Sequence, residues 1–248
     1  MMKRFGLFMA ALAVFVVAGC GGSTVRGEEA LPDPTIKFVN ASADSGAIEF
    51  YLNDELKGAN VNYLSASGPF TKVPFKSDLD GGYDISSRVP GSLDDIDRIS
   101  NVLERDKHYI GITLGLLNPA EGDEEKSARI ALTEIDRVAP TGDKAHLYVL
   151  HAFSRPPGDE TPQLNFQTPG DNPQFKLENL DFGGSQDIVV DSGFQTFEAR
   201  RADVDGENIY ASTSITLRSG GIYFVIIGGI QDDGSAPPVI QFIELEPK

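Results

Sequence analysis

The groups in this 248-residue chain that can carry chemistry are three histidines, one cysteine, many serines and 37 acidic side chains. His108, His146 and His151 fall in no His-Glu-x-x-His or similar metal spacing. His146 and His151 stand five apart on one expected strand, so their side chains leave opposite faces and share no ion. For His151 the expected role is a buried ring bonded to a loop backbone. No Gly-x-Ser-x-Gly elbow occurs, and no serine can be tied to a histidine and an acid. No catalytic residue is therefore assigned. Carboxylates are so numerous that a glycosidase-like pair stays open.

Calcium is the sharpest metal option. "DVDGEN", residues 203–208, sets Asp203 and Asp205 before Gly206 and Asn208 after it. Hard oxygen ligands on a tight loop suit Ca²⁺, although the EF-hand order is not met because the glycine falls fourth rather than sixth. "DLDGGYD", residues 78–84, offers Asp78, Asp80 and Asp84, and Asp94, Asp95 and Asp97 repeat the density. The competing reading is that Asp-Gly pairs simply build hairpin turns, where both residues tolerate positive φ. Asp203, Asp205 and Asn208 are the candidate calcium ligands, and no other cofactor is expected.

The single cysteine lies in "MMKRFGLFMAALAVFVVAGC". Lys3 and Arg4 form a positive start, Gly6 to Val17 is apolar, and small Ala18 and Gly19 precede Cys20. The apolar run has signal-peptide length and is short for a membrane span, which needs about 20 residues. The segment resembles a bacterial lipoprotein signal with Val17-Ala18-Gly19-Cys20 as its lipobox. The resemblance implies cleavage after residue 19, diacylglycerol on the Cys20 sulfur and acylation of its new amine. Several acyl chains anchor stably where one would not. Gly21 rather than Asp after the cysteine favours the outer membrane, on its periplasmic or surface face. Residues 20–34 read as a lipidated flexible tether, spanning roughly 20 Å as a coil.

Formal net charge is −16, and signal cleavage would make the chain more acidic still. Such a chain is repelled by nucleic-acid phosphates and anionic lipid heads, so the membrane is reached through the lipid and no nucleic-acid partner is expected. A lone cysteine excludes an internal disulfide, and stability must come from burial.

Alternating and β-branched runs dominate the rest: "TIKFVNA", "AIEFYL", "HYIGITLG", "HLYVLHAF", "IYASTSITL", "GIYFVIIGG" and "PVIQFIELE". The chain also repeats itself. Phe38-Val39-Asn40-Ala41 matches Val149-Leu150-His151-Ala152, and Asn60-Val61-Asn62-Tyr63 matches Asn179-Leu180-Asp181-Phe182. Gly82-Tyr83 matches Gly193-Phe194, Tyr109 matches Tyr223, and Ile130, Leu132 and Glu134 match Ile240, Phe242 and Glu244. Residues 91–106 have helical spacing at Ile96, Ile99, Val102 and Leu103, but they stand opposite the strand-like 209–217, which predicts a strand. The expected architecture is all-β: two tandem immunoglobulin-like antiparallel β-sandwiches over 35–137 and 144–248, joined by a linker at 138–143. A signal peptide (1–19) and the tether (20–34) precede them.

"IKFVNASADSGAIEFYL", residues 36–52, resembles the opening of domain of unknown function 4397, with Ala41, Ser42 and Asp44 in place and Ile48 to Tyr51 following its second strand. Repeat 2 keeps the family's His-Ala as His151-Ala152, whereas repeat 1 has Asn40. The resemblance covers residues 36 to about 245 as two copies and implies a fold and an extracytoplasmic setting, not a reaction. Together these features favour a non-enzymatic lipid-anchored envelope protein that binds a protein or glycan, supports adhesion or is structural. The alternative is an extracytoplasmic carboxylate-dependent, glycosidase-like hydrolase.

Overall fold

The computed structural model describes residues 31–75, 82–119, 121–154, 160–170, 172–202 and 208–248. Leu31–Lys248 is one compact unit. The first repeat supplies β1 (Thr35–Ser42), β2 (Ile48–Leu52), β3 (Glu55–Val61), β4 (Ser65–Ala66), β5 (Thr71–Lys72), β6 (Tyr83–Arg88), β7 (Asp95–Asn101), β8 (His108–Gly115) and β9 (Arg129–Ile135). The second supplies β10 (Lys144–His151), β11 (Leu164–Gln167), β12 (Lys176–Leu180), β13 (Ser185–Asp191), β14 (Gly193–Arg201), β15 (Ile209–Leu217), β16 (Ile222–Gly228) and β17 (Val239–Leu245). Residues 91–106 therefore hold a strand, β7, despite their helical spacing. A short 3₁₀ turn forms at Glu124–Lys126.

Each repeat is a two-sheet sandwich. The first has β4-β1-β8-β9, with β5 also on β1, over β3-β2-β6-β7; the second has β13-β10-β16-β17 over β12-β11-β14-β15. Pairing between the described strands is antiparallel except at β1 with β8 and β10 with β16, which run parallel. A parallel pair needs a long crossover. Here the crossover carries the chain through the opposite sheet and, on the way, back to the edge of its own sheet at β4 and β5 in the first repeat and at β13 in the second.

The register of the two copies agrees. Ile36 pairs with Tyr109 as Leu147 pairs with Tyr223. In each copy that tyrosine reaches back five residues: Tyr109 Oη accepts the Glu104 amide at 3.1 Å and Tyr223 Oη accepts the Arg218 amide at 2.9 Å. This is the tyrosine-corner device of immunoglobulin-like sandwiches. Gly115 and Gly229 close the equivalent strands at φ +99° and +106°, and a Cβ there would stand 2.5 Å from Ser127 O and 2.4 Å from Pro237 O. Tyr109→Phe and Tyr223→Phe are each expected to cost about 1 kcal/mol in urea unfolding, and the two losses should add.

One sequence match is out of step. Ile85 pairs with Ile99 as Phe197 pairs with Thr213, and Phe50 with Ser87 as Phe166 with Ala199. Tyr83 is thus equivalent to Gln195, not Phe194. A slip of one residue changes the face of a strand: Tyr83 is buried, whereas Phe194 is 73% exposed.

Three apolar cores alternate with the four sheets. Even-numbered Ile36 and Phe38 of β1 enter the first repeat's own core, and odd-numbered Leu147 and Val149 of β10 enter the second's. The opposite faces of the same strands meet each other. Val39, Ala41, Ile110, Ile112 and Leu114 pack with Tyr148, Leu150, Ile222, Phe224 and Ile226 in a core shared by both repeats. The layers therefore stack as four sheets, and β1, β8 and β16 are buried at every position.

The contacts across the shared core are reciprocal. Lys37 of β1 binds Glu246, just past β17, at 3.1 Å. Its equivalent, Tyr148 of β10, meets the backbone of Asp136, just past β9: its Oη accepts the Asp136 amide at 2.8 Å and lies 3.1 Å from the Asp136 carbonyl. Tyr63 and Leu64 cover Gly228, while Gly183, next to the matching Phe182, covers Leu114. Residue i of one copy meeting j of the other, and j meeting i, is the mark of a two-fold interface. Here it is built into one chain.

Candidate functional site

The stack leaves two sheet faces turned outward, one from each repeat, and their chemistry differs at equivalent positions. On the first repeat, Glu49, Tyr51, Asp84, Arg88, Arg98 and Ser100 lie on the outer face of β2, β6 and β7. Arg98 bonds Asp54 at 2.6 Å and Asp95 at 2.8 Å, and Arg88 bonds Asp95 at 2.6 Å. The Arg98 hydrogen bond holds the Asp54 carboxyl below the usual carboxylate range. Arg88 also lies 4.4 Å over the Tyr51 ring, whose hydroxyl bonds Glu49 at 2.8 Å, and Ser100 bonds Asp84. This face is tied down by ionic bonds.

On the second repeat the register puts neutral groups at several of these charged positions and charged Glu198 where Ser86 stands; Asn165, Gln167 and Glu198 are buried, and Asn165 Oδ1 accepts the Asn179 amide at 3.1 Å. Asn165 opposes Arg200 where Glu49 opposes Arg88, and Gln167 opposes Glu198 where Tyr51 opposes Ser86. Thr196 and Ser214 stand where Asp84 and Ser100 stand, and Ser212 takes the place of Arg98. Thr196 and Ser214 share a 2.8 Å hydrogen bond. Arg200 is bound by Glu198 at 2.6 Å, and Lys176 by Glu178 at 2.7 Å. Ser212, Ser214 and Thr216 form an exposed hydroxyl row, because the outward positions of β15 alternate with inward Ala211, Thr213, Ile215 and Leu217. Phe194 ends the face, opposite Thr216.

The alternating hydroxyls of "IYASTSITL" are the sequence signal of this face, although they match no site motif. Asn165, Gln167, Glu198 and Arg200 carried no signal, since their common face depends on strand order.

The groups singled out in the sequence hold loops and strands together. His151 is buried; its Nε2–H donates to the Pro162 carbonyl at 2.9 Å, and burial pushes its pKa down to about 4. Asn40, at the same place in the first repeat, donates to Gly46 O at 2.8 Å and Val61 O at 3.0 Å. His108 bonds Thr35 at 2.7 Å, and burial, with Arg137 and Lys248 adding, lowers its pKa. His146 bonds Asp187 at 2.9 Å. His146 faces the shared side of β10 and His151 the other, as their spacing requires.

The acidic residues of the sequence motifs are placed in the same way. Asp44 accepts the Leu117 and Asn118 amides at 2.8 and 3.0 Å. Asp97 accepts the Ile130 amide at 2.7 Å. Asp84 and Asp95 belong to the ionic face, and Asp94 is exposed beside Ser92. Of the candidate calcium ligands, Asn208 is exposed and its carbonyl accepts the Arg201 amide at 3.1 Å. Asp203 and Asp205 lie outside the described residues, as do Asp78, Asp80 and Cys20. Among the described residues, no group of three or more His, Cys, Asp or Glu side chains is placed to hold a metal ion.

No family model and no curated protein matches the chain. Solved structures similar to it include the two that follow. The Bacillus anthracis TIE protein is 12% identical over 79% of this chain, with a TM-score of 0.26; the match spans 34% of that protein, so this chain corresponds to about a third of its length. A candidate cell adhesion protein from Bacteroides ovatus is 11% identical over 88% of this chain and 97% of its own, with a TM-score of 0.22. The assignment of a tandem β-sandwich rests on the sheets described above.

Proposed function

We propose that this chain is a non-enzymatic binding module of the bacterial cell envelope, held by lipid on Cys20 and presenting the outer sheets of a rigid stack to a partner. The observation that carries the reading is how the reactive side chains are used. His108, His151, Asp44 and Asp97 are each spent on a strand or loop contact, while one sheet of each repeat turns its outer face away from the stack. Such an arrangement suits display and recognition rather than proton transfer, which needs groups converging on one reacting centre. The lipobox-like residues up to Cys20 supply the reason for an envelope address. Expressed in a bacterial host, the wild type should partition into detergent, and the peptide beginning at Cys20 should carry the mass of a diacylglycerol and an acyl chain. Cys20→Ser should abolish both. A free thiol on a mature Cys20 would overturn the anchoring.

A further inference from the structure

We propose that the chain pairs with a second copy of itself through the open edge of β15, antiparallel and centred on Thr213; the pairing does not depend on lipid at Cys20. β15 is the outermost strand of β12-β11-β14-β15. Among the described residues, no strand is hydrogen-bonded to its far side, and no backbone bond outside the strand ladders involves it. Such an edge offers a row of N–H and C=O groups to another strand, and proteins ordinarily block it with charge. The other edge strands longer than two residues, β3, β7, β9, β12, β13 and β17, each carry a charged side chain, whereas β15 carries none. The first repeat shows a closed edge on the same backbone. Asp97 of β7 reaches over to accept the Ile130 amide of β9, and its equivalent on β15 is Ala211.

The residues of this edge select a second copy as the occupant. "ASTSI", residues 211–215, reads alike in both directions by residue class. Paired antiparallel about Thr213, Ala211 meets Ile215, Ser212 meets Ser214 and Thr213 meets itself. Apolar then faces apolar and hydroxyl faces hydroxyl, the pairs that stabilise neighbouring strands. Each pair also joins residues of one sheet face, so the inner and outer faces of the two copies run on continuously. The bulge between Ala199 and Arg200 lies beyond this stretch. Exposed Phe194, beside Thr216, comes to the end where the second copy's exposed Ile209 stands. An interface of one strand pair is small, so the dimer is reversible. Two chains at −16 repel, so salt should strengthen the pairing by screening.

The test uses the full chain in detergent, with Cys20→Ser so that an introduced cysteine is the sole thiol. Sedimentation at matched detergent density should show a mass rising toward that of a dimer with concentration and with salt. Under mild oxidation Thr213→Cys should form a disulfide-linked dimer, because facing Cα atoms of an antiparallel pair stand about 4.5–5.5 Å apart. Thr216→Cys should form roughly tenfold less, since this register sets the two copies of that residue about 20 Å apart. Thr216 is the more exposed of the two, so random collision would give the reverse order. Ser212→Lys combined with Ser214→Lys should abolish the dimer, because like charges would face each other along the edge. Both side chains are exposed, so the melting temperature should hold. The lysines also reduce the net repulsion between copies, which leaves the blocked edge as the cause of the loss. A monomer at every concentration and salt, linkage at Thr216→Cys equal to that at Thr213→Cys, or a dimer undiminished by the two lysines would overturn the proposal. The envelope reading fails on a different result, a free thiol at mature Cys20.

Discussion

Phe224→Ala is expected to lower the stability of the whole unit by about 3–5 kcal/mol, the usual cost of emptying a buried phenylalanine site. Phe224 is fully buried and sits in the core that both repeats share. Its neighbours come from β1, β8, β10 and β16, and these strands are held on both faces, so the cavity has little room to collapse. The loss should appear in the first repeat as well as in the second, to which Phe224 belongs. In urea, fluorescence of the tyrosines and backbone circular dichroism should report one shifted midpoint with an unchanged slope. A midpoint shift confined to one repeat, leaving the other at its wild-type position, would show that the repeats fold separately.

The second large effect depends on pH. His151 is neutral in the folded protein, with its pKa pushed down to about 4 by burial, which outweighs the hydrogen bond to the Pro162 carbonyl and the nearby Asp181. In the unfolded chain the ring titrates near 6.5. Between these values the unfolded state binds the extra proton, so stability is full above pH 6.5 and is lost as pH falls toward 4. The loss is about 3 kcal/mol across that window. His151→Asn installs the residue that already performs the equivalent task at position 40. Its stability at pH 7 should lie within about 1 kcal/mol of the wild type, and its decline between pH 6.5 and 4 should be shallower by about 3 kcal/mol. His108 is present in both proteins, so the difference isolates His151. Parallel stability curves would contradict the assignment.

Much of the fold was legible because β-strands declare themselves by alternation and because two copies constrain each other. The strand at 95–101 illustrates this: its own spacing suited a helix, and its partner at 209–217 decided the matter. Phe194 illustrates the limit. The match of Gly82-Tyr83 with Gly193-Phe194 was attractive as letters, yet strand pairing places the second pair one residue out of step. Only the register shows that Phe194 faces water.

The stacking of the repeats was harder to read. It rests on Lys37 meeting Glu246 and Tyr148 meeting the backbone of Asp136, contacts between residues far apart in sequence that no local pattern announces. A hint lay in "IYFVIIGG", a continuous apolar run of the kind that strands buried on both faces adopt. The outer face of the second repeat was hidden for a related reason. Asn165, Gln167, Glu198 and Ser212 become neighbours only once β11, β14 and β15 are ordered side by side.

The shared core is the central structural claim, and calorimetry of a chain beginning at Leu31 tests it most directly. Two independent sandwiches would melt as separate units. A four-layer stack whose inner sheets are each buried on both faces should melt as one. The predicted result is a single transition with equal calorimetric and van't Hoff enthalpies, on the order of 150 kcal/mol near 60 °C for a unit of this length. Two transitions, or a van't Hoff enthalpy near half the calorimetric value, would contradict it.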